Sequence, residues 1–273
     1  MLKFFETKNR PKKLIPADDR ATIEIEKFFD QKPSLQGAVD IFKGRWASQL
    51  PADHGPLDSG SAALFTEDTR PGIAAKRFGG ADGTLQGFHV LELGPLEAGH
   101  TYQLEKLGAR VTAIEGNAEA FLKCLIVKEI YGLTSRFEFG SFVKYLESSE
   151  EQFDLIFASG VLYHMVDPIN LIRLICEHSD RSFLWSHYYD PAVCQGYVSE
   201  EVSRGGFTAV YYRKDYADPS HGQFWGGLAD SACWLSRQAI VDAYKHFGHR
   251  TVEVAAEEPS HPHGPCFSLV TQR

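Results

Sequence analysis

A chain of 273 residues with 43% hydrophobic and 23% charged content is long enough to bury one sizeable core and still carry an extension or insertion. No apolar run approaches the ~18–20 residues of a membrane span, and Met1–Phe5 lacks the apolar stretch of a secretory leader. The net charge of −8 argues against a large phosphate-binding surface, and so against a nucleic-acid substrate.

Taken in order, the chain opens with Lys3, Lys8, Arg10, Lys12 and Lys13 among Pro11 and Pro16, which reads as a solvated arm. Asp18 or Asp19 then caps a helix with Ala21, Ile25, Phe28 and Phe29 on one face, broken by Pro33. A second helical face runs through Ala38, Ile41, Phe42, Trp46 and Leu50. Residues 51–61 are a loop by composition, and a short helical stretch precedes Gly79-Gly80.

From His89 to Asn117 the pattern is denser. Val90–Leu93 reads as a strand ending at Gly94-Pro95; a helix over 97–107 is closed by Gly108; Val111–Ile114 is a second strand that stops at Glu115. This is one βαβ unit, whose parallel strands leave a crevice at their carboxyl ends. Gly94 lets backbone approach a ligand closely, and Glu115 can accept two hydrogen bonds from a ribose diol. The unit implies a nucleotide-like cofactor.

Downstream, a helix over 118–131 presents Phe121, Leu122, Leu125, Ile126 and Ile130 as its buried stripe and stops at Gly132. Arg136–Gly140 is a third strand and Phe153–Ala158 a fourth, tipping into Ser159–His164. A helix over 168–177 leads to a fifth strand, Ser182–His187. Residues 188–233 interrupt the alternation with many aromatics, Tyr188, Tyr189, Tyr197, Tyr211, Tyr212, Tyr216, Phe224 and Trp225 among them. Thr208–Tyr212 reads there as one strand of a small hairpin. Ser236 caps a last helix with Ile240, Val241, Tyr244 and Phe247 inward, before two alternating strands, Thr251–Ala255 and Cys266–Thr271.

The succession LELGPLEAG, AIEGN and FDLIFASGVLYH resembles the class I S-adenosylmethionine (SAM) dependent methyltransferases, well over roughly 85–190 and more loosely at the final strand pair. The resemblance implies an α/β, Rossmann-like seven-stranded methyltransferase sheet with an antiparallel C-terminal hairpin. It implies an N-terminal helical extension over 1–80 that lids the crevice, a SAM-binding domain over 81–273, and a substrate-side insertion at 188–233. The cofactor implied is SAM. Its amino-acid end would lie on the glycine-rich turn, with Glu92 near the ammonium and Gly94, Pro95, Gly99, His100 and Ser159 around it. Glu115 would hold the ribose. Gly116 and Asn117 would stand beside the adenine, with helix capping the alternative for Asn117. Where family members often carry an acid after the third strand, this chain has Ser141, which leaves the adenine contact to a backbone amide and Phe142. Arg70, in the extension, is either a cofactor contact or a surface ion pair. The family motif E-x-G-x-G-x-G is kept at Glu92 and Gly94, but Leu96 and Ala98 stand at its later glycine positions and Gly99 is displaced by one.

Methyl transfer is an in-line displacement that needs alignment, exclusion of water and, for a hydroxyl acceptor, a base. Tyr163 and His164 follow the fourth strand and His187 ends the fifth, so these three are the catalytic candidates. His164 is the base or substrate orienter; its alternative is a histidine bonding a backbone carbonyl. The aromatics of the insertion either line a substrate pocket or form a small core. His164, His187 and Asp190 lack the helical spacing of a metal site and His261-Pro262-His263 reads as a turn, so no metal is expected. The five cysteines (124, 176, 194, 233, 266), unpaired by any C-x-x-C motif, read as reduced thiols.

The expectation is a cytoplasmic SAM-dependent methyltransferase with a small-molecule acceptor methylated at oxygen. GVLYH also resembles the wobble-uridine carboxymethyl transferases of tRNA, which use a carboxylated SAM, but the net charge speaks against the basic groove they need. A nicotinamide-dependent oxidoreductase requires a middle glycine that Gly94–Gly99 lacks. A non-catalytic SAM-binding protein is the third alternative, and the oligomeric state stays open.

Overall fold

The structure, a computed structural model, describes residues 25, 28–216 and 227–273. The basic arm, the cap at Asp18 or Asp19, Ala21, Phe224 and Trp225 lie outside the described residues. Ile25, Phe28 and Phe29, expected on a helix face, are non-helical and exposed.

Ten strands and seven α-helices are described, with 3-10 turns at Asp40–Phe42 and Leu162–His164. The main sheet contains β1 (His89–Leu93), β2 (Arg110–Glu115), β3 (Arg136–Phe139), β4 (Leu155–Ser159), β5 (Arg181–His187), β9 (Thr251–Glu258) and β10 (Cys266–Gln272). Its order is β3-β2-β1-β4-β5-β10-β9. The first five strands are parallel, and β10 runs antiparallel between β5 and β9. This is the expected seven-stranded sheet with its antiparallel terminal pair. The insertion holds β6 (Val198–Arg204), β7 (Phe207–Asp215) and β8 (Ser231–Trp234), a separate three-stranded antiparallel sheet that extends the expected hairpin by one strand.

The inner strands are buried on both faces, as parallel strands covered by helices must be. Leu91, Leu93, Ile156 and Leu184 face one core, under α5 (Phe142–Ser148), α6 (Pro168–His178) and α7 (Arg237–His246). Val90, Leu155, Phe157 and Phe183 face the other, with α2 (Arg70–Phe78) and α3 (Gly99–Lys106). By strand alternation Glu92 falls on the Val90 face and looks at α3. Strand order reverses between β1 and β4, so the crevice opens beyond Leu93 and Ser159, where open α/β sheets bind ligands.

Two expected faces are corrected. The helix α1 (Leu35–Val39) is only five residues long and the 3-10 turn ends at Phe42, because Gly44 takes φ 72°. Trp46 and Leu50 are still buried, but from irregular chain, and Ile41 is exposed. In α4 (Ala118–Tyr131) the buried stripe is Ala120, Lys123, Cys124, Val127 and Ile130, whereas Leu122 and Leu125 face outward. The helix is rotated from the hydrophobic reading because it buries Lys123 in an ion cluster. Among the described residues no helix is long and apolar enough to cross a membrane.

Candidate functional site

The loop after β1 keeps the glycine-type backbone without the glycines. Gly94, Leu96 and Ala98 have φ of 67°, 58° and 64°. A left-handed conformation costs a residue with a Cβ about 1–2 kcal/mol, so the loop holds this shape against local preference. What holds it is visible. Glu115 accepts from the Leu96 amide at 3.1 Å, the Cys124 thiol donates to the Leu96 carbonyl, and Ala98 is fully buried. Because the loop uses residues up to Ala98, α3 begins at Gly99 rather than 97. Gly99 has ordinary φ; a side chain there would meet the Leu64 carbonyl at 3.1 Å, so its smallness serves the N-terminal segment. Pro95 is buried within the turn and its carbonyl accepts from Ala98.

Glu92 sits below this loop, 1% exposed. One carboxylate oxygen accepts from Thr101 at 2.5 Å; the other, Oε1, is buried with no hydrogen-bond partner. Burial pushes its pKa up to about 8, which favours the protonated carboxyl at neutral pH. His100 Nδ1 lies 3.9 Å from that orphaned oxygen, while its Nε2 is 2.9 Å from Asp68. Burial would raise the Asp68 pKa, but hydrogen bonds from His100 and Arg70 hold it well below the carboxylate range. Arg70 also donates from Nη1 to the Ser159 hydroxyl at 2.8 Å and lies over the Trp185 ring, 4.9 Å from its centroid. Arg70 is therefore paired at the crevice mouth, at the end of β4, and not on open surface.

At the end of β2, Glu115 is 8% exposed and accepts from the amides of Leu96 and, at 2.8 Å, Asn117. Burial raises its pKa and these amides pull it back. The Gly116 amide acts on it in the same sense. Asn117 caps α4, accepting from Ala120 at 3.1 Å, and Ser141 caps α5 through Lys144. Both side chains are thus committed to helix ends. Phe142 begins α5, half-buried against the core. A side chain on Gly116 would touch Leu228 at 3.0 Å, so the insertion reaches this end of the crevice.

The three catalytic candidates are brought together. The Tyr163 ring lies 4.2 Å from His164 and 4.7 Å from His187, with Trp185 and Trp234 edge-on to it. His164 Nδ1 pairs with the Tyr216 hydroxyl at 2.9 Å. Burial, helped by His187 and Lys214, lowers its pKa to about 4, well below an ordinary imidazole. It is His187, not His164, that bonds a backbone carbonyl: its Nδ1 donates to Gly264 at 2.8 Å. Burial keeps it neutral as well. Gly227 abuts the His164 carbonyl, so Gly227-Leu228 runs from His164 to Gly116 across the crevice. A hollow of about 460 Å³ lined by Pro51, Phe65, Tyr102 and Lys106 shares no residue with this site.

Of the insertion's aromatics, Tyr188 and Tyr211 belong to the core, while Tyr216 bonds His164. Tyr189 stacks on Tyr212 at 3.5 Å.

Sequence reading missed one tie. Glu97 and Lys123 are both fully buried, 3.0 Å apart, and Lys123 also meets Glu119 at 3.1 Å. Glu97 accepts from the amides of Ala47 and Ser48, and Lys123 donates to the Arg45 carbonyl. Residues 45–48 are thereby fastened to the loop after β1. Asp68 and Thr101 were also missed; both contact residues that were singled out, but only through the fold.

No protein-family model and no curated protein matches the chain. Solved structures do. The N-terminal domain of EvdMO1 with S-adenosylhomocysteine (SAH) bound superposes with a TM-score of 0.67 at 22% identity, covering 88% of this chain and 95% of that one. The same domain in the presence of SAH and D-fucose gives a TM-score of 0.64 at 23% identity, again over 88% and 95%. A structure of EvdMO1 gives 0.50 at 20% identity, over 82% of this chain and 45% of that one. The chain has the fold of the class I SAM-dependent methyltransferases.

Proposed function

We propose that, on this fold, the chain is an enzyme that transfers the methyl group of SAM to a hydroxyl oxygen of a small molecule. The observation that carries the reading is the buried Glu92 oxygen left without a partner beside the Gly94 turn, which can accept from a cation once the carboxyl gives up its proton. The ammonium of SAM supplies one. Arg70 suits the cofactor's carboxylate, the Glu115 carboxylate at the end of β2 suits the ribose diol, and Leu228 and Phe142 suit the adenine. Gly94 itself must be small: a Cβ would stand 2.8 Å from Val161. The SAH-bound EvdMO1 domain supports the choice of cofactor, and its structure in the presence of D-fucose supports a hydroxylated acceptor.

The acceptor would sit among Tyr163, His164 and Trp185. SAM, held by Glu92, Arg70 and Glu115, would supply an electrophilic methyl group to the acceptor oxygen and leave as the neutral thioether SAH. The proton then leaves the oxygen for His164. A histidine of low pKa serves here, because the attacking hydroxyl becomes far more acidic as the new bond forms. His187, its ring fixed by the Nδ1 bond to Gly264, would orient the acceptor or the His164 ring.

The test incubates the chain with methyl-labelled SAM and D-fucose, other deoxyhexoses and simple phenols, with bulk tRNA in parallel. Label in a sugar or phenol ether supports the reading. Label only in tRNA, with the steep salt dependence of a phosphate-bound complex, refutes it.

A further inference from the structure

Three side chains from distant parts of the chain converge at the outer end of β5. His187 is the last residue of β5, and Cys266 stands directly opposite it in the antiparallel ladder with β10. His261 lies in the turn between β9 and β10. Their ligand-type atoms all fall within 4.8 Å of one another. Tetrahedral bonds of ~2.0–2.3 Å place ligand atoms roughly 3.5 Å apart, so about an ångström of closure completes the geometry. The half-buried, loop-borne His261 supplies it most easily.

The surroundings are those of ligands. His187 Nδ1 donates to the Gly264 carbonyl at 2.8 Å, with the Pro265 carbonyl at 3.3 Å, which leaves the lone pair on Nε2. Metal-binding histidines are oriented in this way. Gly264 is required for it: φ is 111°, and a Cβ would stand 3.1 Å from the Trp234 ring, which stacks on His187 with planes 6° apart. Cys266 is buried at the start of β10, with its sulfur within reach of both imidazoles. Among the described residues that sulfur makes a long 3.9 Å contact to the Glu258 carbonyl. His261 Nδ1 accepts a 3.2 Å bond from the His263 amide, which coordination through either ring nitrogen would replace.

We propose that His187, His261 and Cys266 bind one divalent metal ion of the zinc class, with the fourth position left for water or an acceptor oxygen. Two imidazoles and a thiolate select zinc over magnesium or calcium, which require oxygen ligands. Binding breaks the Cys266 S–H bond, sends the proton to solvent and forms the sulfur–metal bond. The Tyr163 ring is 4.7 Å from His187, so the ion lies beside the proposed acceptor position. A metal-bound His187 has no free lone pair, which leaves His164 as the proton acceptor of the pair. That catalytic consequence rests on the methyltransferase reading; the metal site does not.

The test strips the full chain with a chelator and titrates it with cobalt(II), whose thiolate complexes show a charge-transfer band. One equivalent should bind with that band, and zinc should displace it. Cys266→Ser should abolish the band, His261→Ala should weaken binding at least tenfold, and Cys233→Ser should change neither. Position 261 is half-buried on a loop, so its variant keeps the fold. No charge-transfer band in the parent chain, or a band that survives Cys266→Ser, overturns the site. Intense blue copper(II) binding without zinc affinity overturns the choice of metal. SAM binding measured on the same samples separates the readings: loss of metal with SAM still bound refutes this site alone, and the reverse refutes the cofactor assignment alone.

Discussion

The buried Glu92 makes the stability of the cofactor-free protein fall as pH rises. Its folded pKa is about 8 against an ordinary 4.5, because burial penalises the anion. For a carboxyl raised in this way, the folded state holds the proton more tightly than the unfolded one. Its contribution is intact below about pH 4.5 and is lost progressively as pH climbs to about 8. A displacement of 3.5 units at 1.36 kcal/mol each gives about 5 kcal/mol over that window, a slope approaching 1.4 kcal/mol per pH unit. Glu92→Gln keeps an acceptor for Thr101 and cannot ionise, so it should lack this slope. The nearby His100, lowered by burial, works in the opposite sense and loses stability as pH falls below about 6.5. It is present in both proteins and largely cancels in their difference. Urea unfolding of the two at half-unit steps from pH 5 to 8.5 measures that difference. Curves that stay parallel within 1 kcal/mol would refute the assignment of a proton to Glu92. Saturating SAM should shrink the parent slope, because its ammonium stabilises the anion.

Three further outcomes follow from the site. Glu115→Ala should weaken SAM binding by roughly 1.5–3 kcal/mol, the worth of hydrogen bonds to a charged group, read by calorimetry against unchanged circular dichroism. At Leu96, φ 58° predicts that Leu96→Gly stays within about 1 kcal/mol of the parent in urea unfolding, relief of strain offsetting lost packing and chain entropy; Leu96→Val should cost clearly more, since a β-branched residue tolerates that backbone least. His164→Ala should lower the single-turnover methyl-transfer rate ~10²–10⁴-fold with SAM still bound. Because burial holds His164 at about 4, the parent rate at saturating SAM should be flat from pH 6 to 9 and fall only as pH approaches 4; a midpoint near 6.5 would show another base.

What was legible in the sequence was local. The unit from His89 to Asn117 carries strand, turn, helix and acid within one short span, and each of its boundaries lies within two residues of the reading. Burial patterns broke where charge went inside. Lys123 occupies the buried face of α4 because Glu97 and Glu119 pair with it, and no hydrophobic periodicity foresees an inward lysine. Asn117 reads equally as a ligand contact or a helix cap and Ser141 only as a residue of the adenine end, and the hydrogen bonds of both show capping. Leu96 and Ala98 depart from the family's glycines, yet both keep a left-handed backbone because Glu115, Cys124 and close packing impose it. The cluster of His187, His261 and Cys266 escaped for a different reason. Helical spacing was the signal sought, and these residues meet through strand register and a turn.

The most direct test of the account is calorimetric titration of the full chain with SAM at pH 7 in two buffers of different ionisation enthalpy. Binding should fall in the micromolar range, about −7 to −9 kcal/mol, and should release close to one proton as Glu92 ionises beside the ammonium. No binding of SAM or SAH, with NADH bound instead, would contradict it.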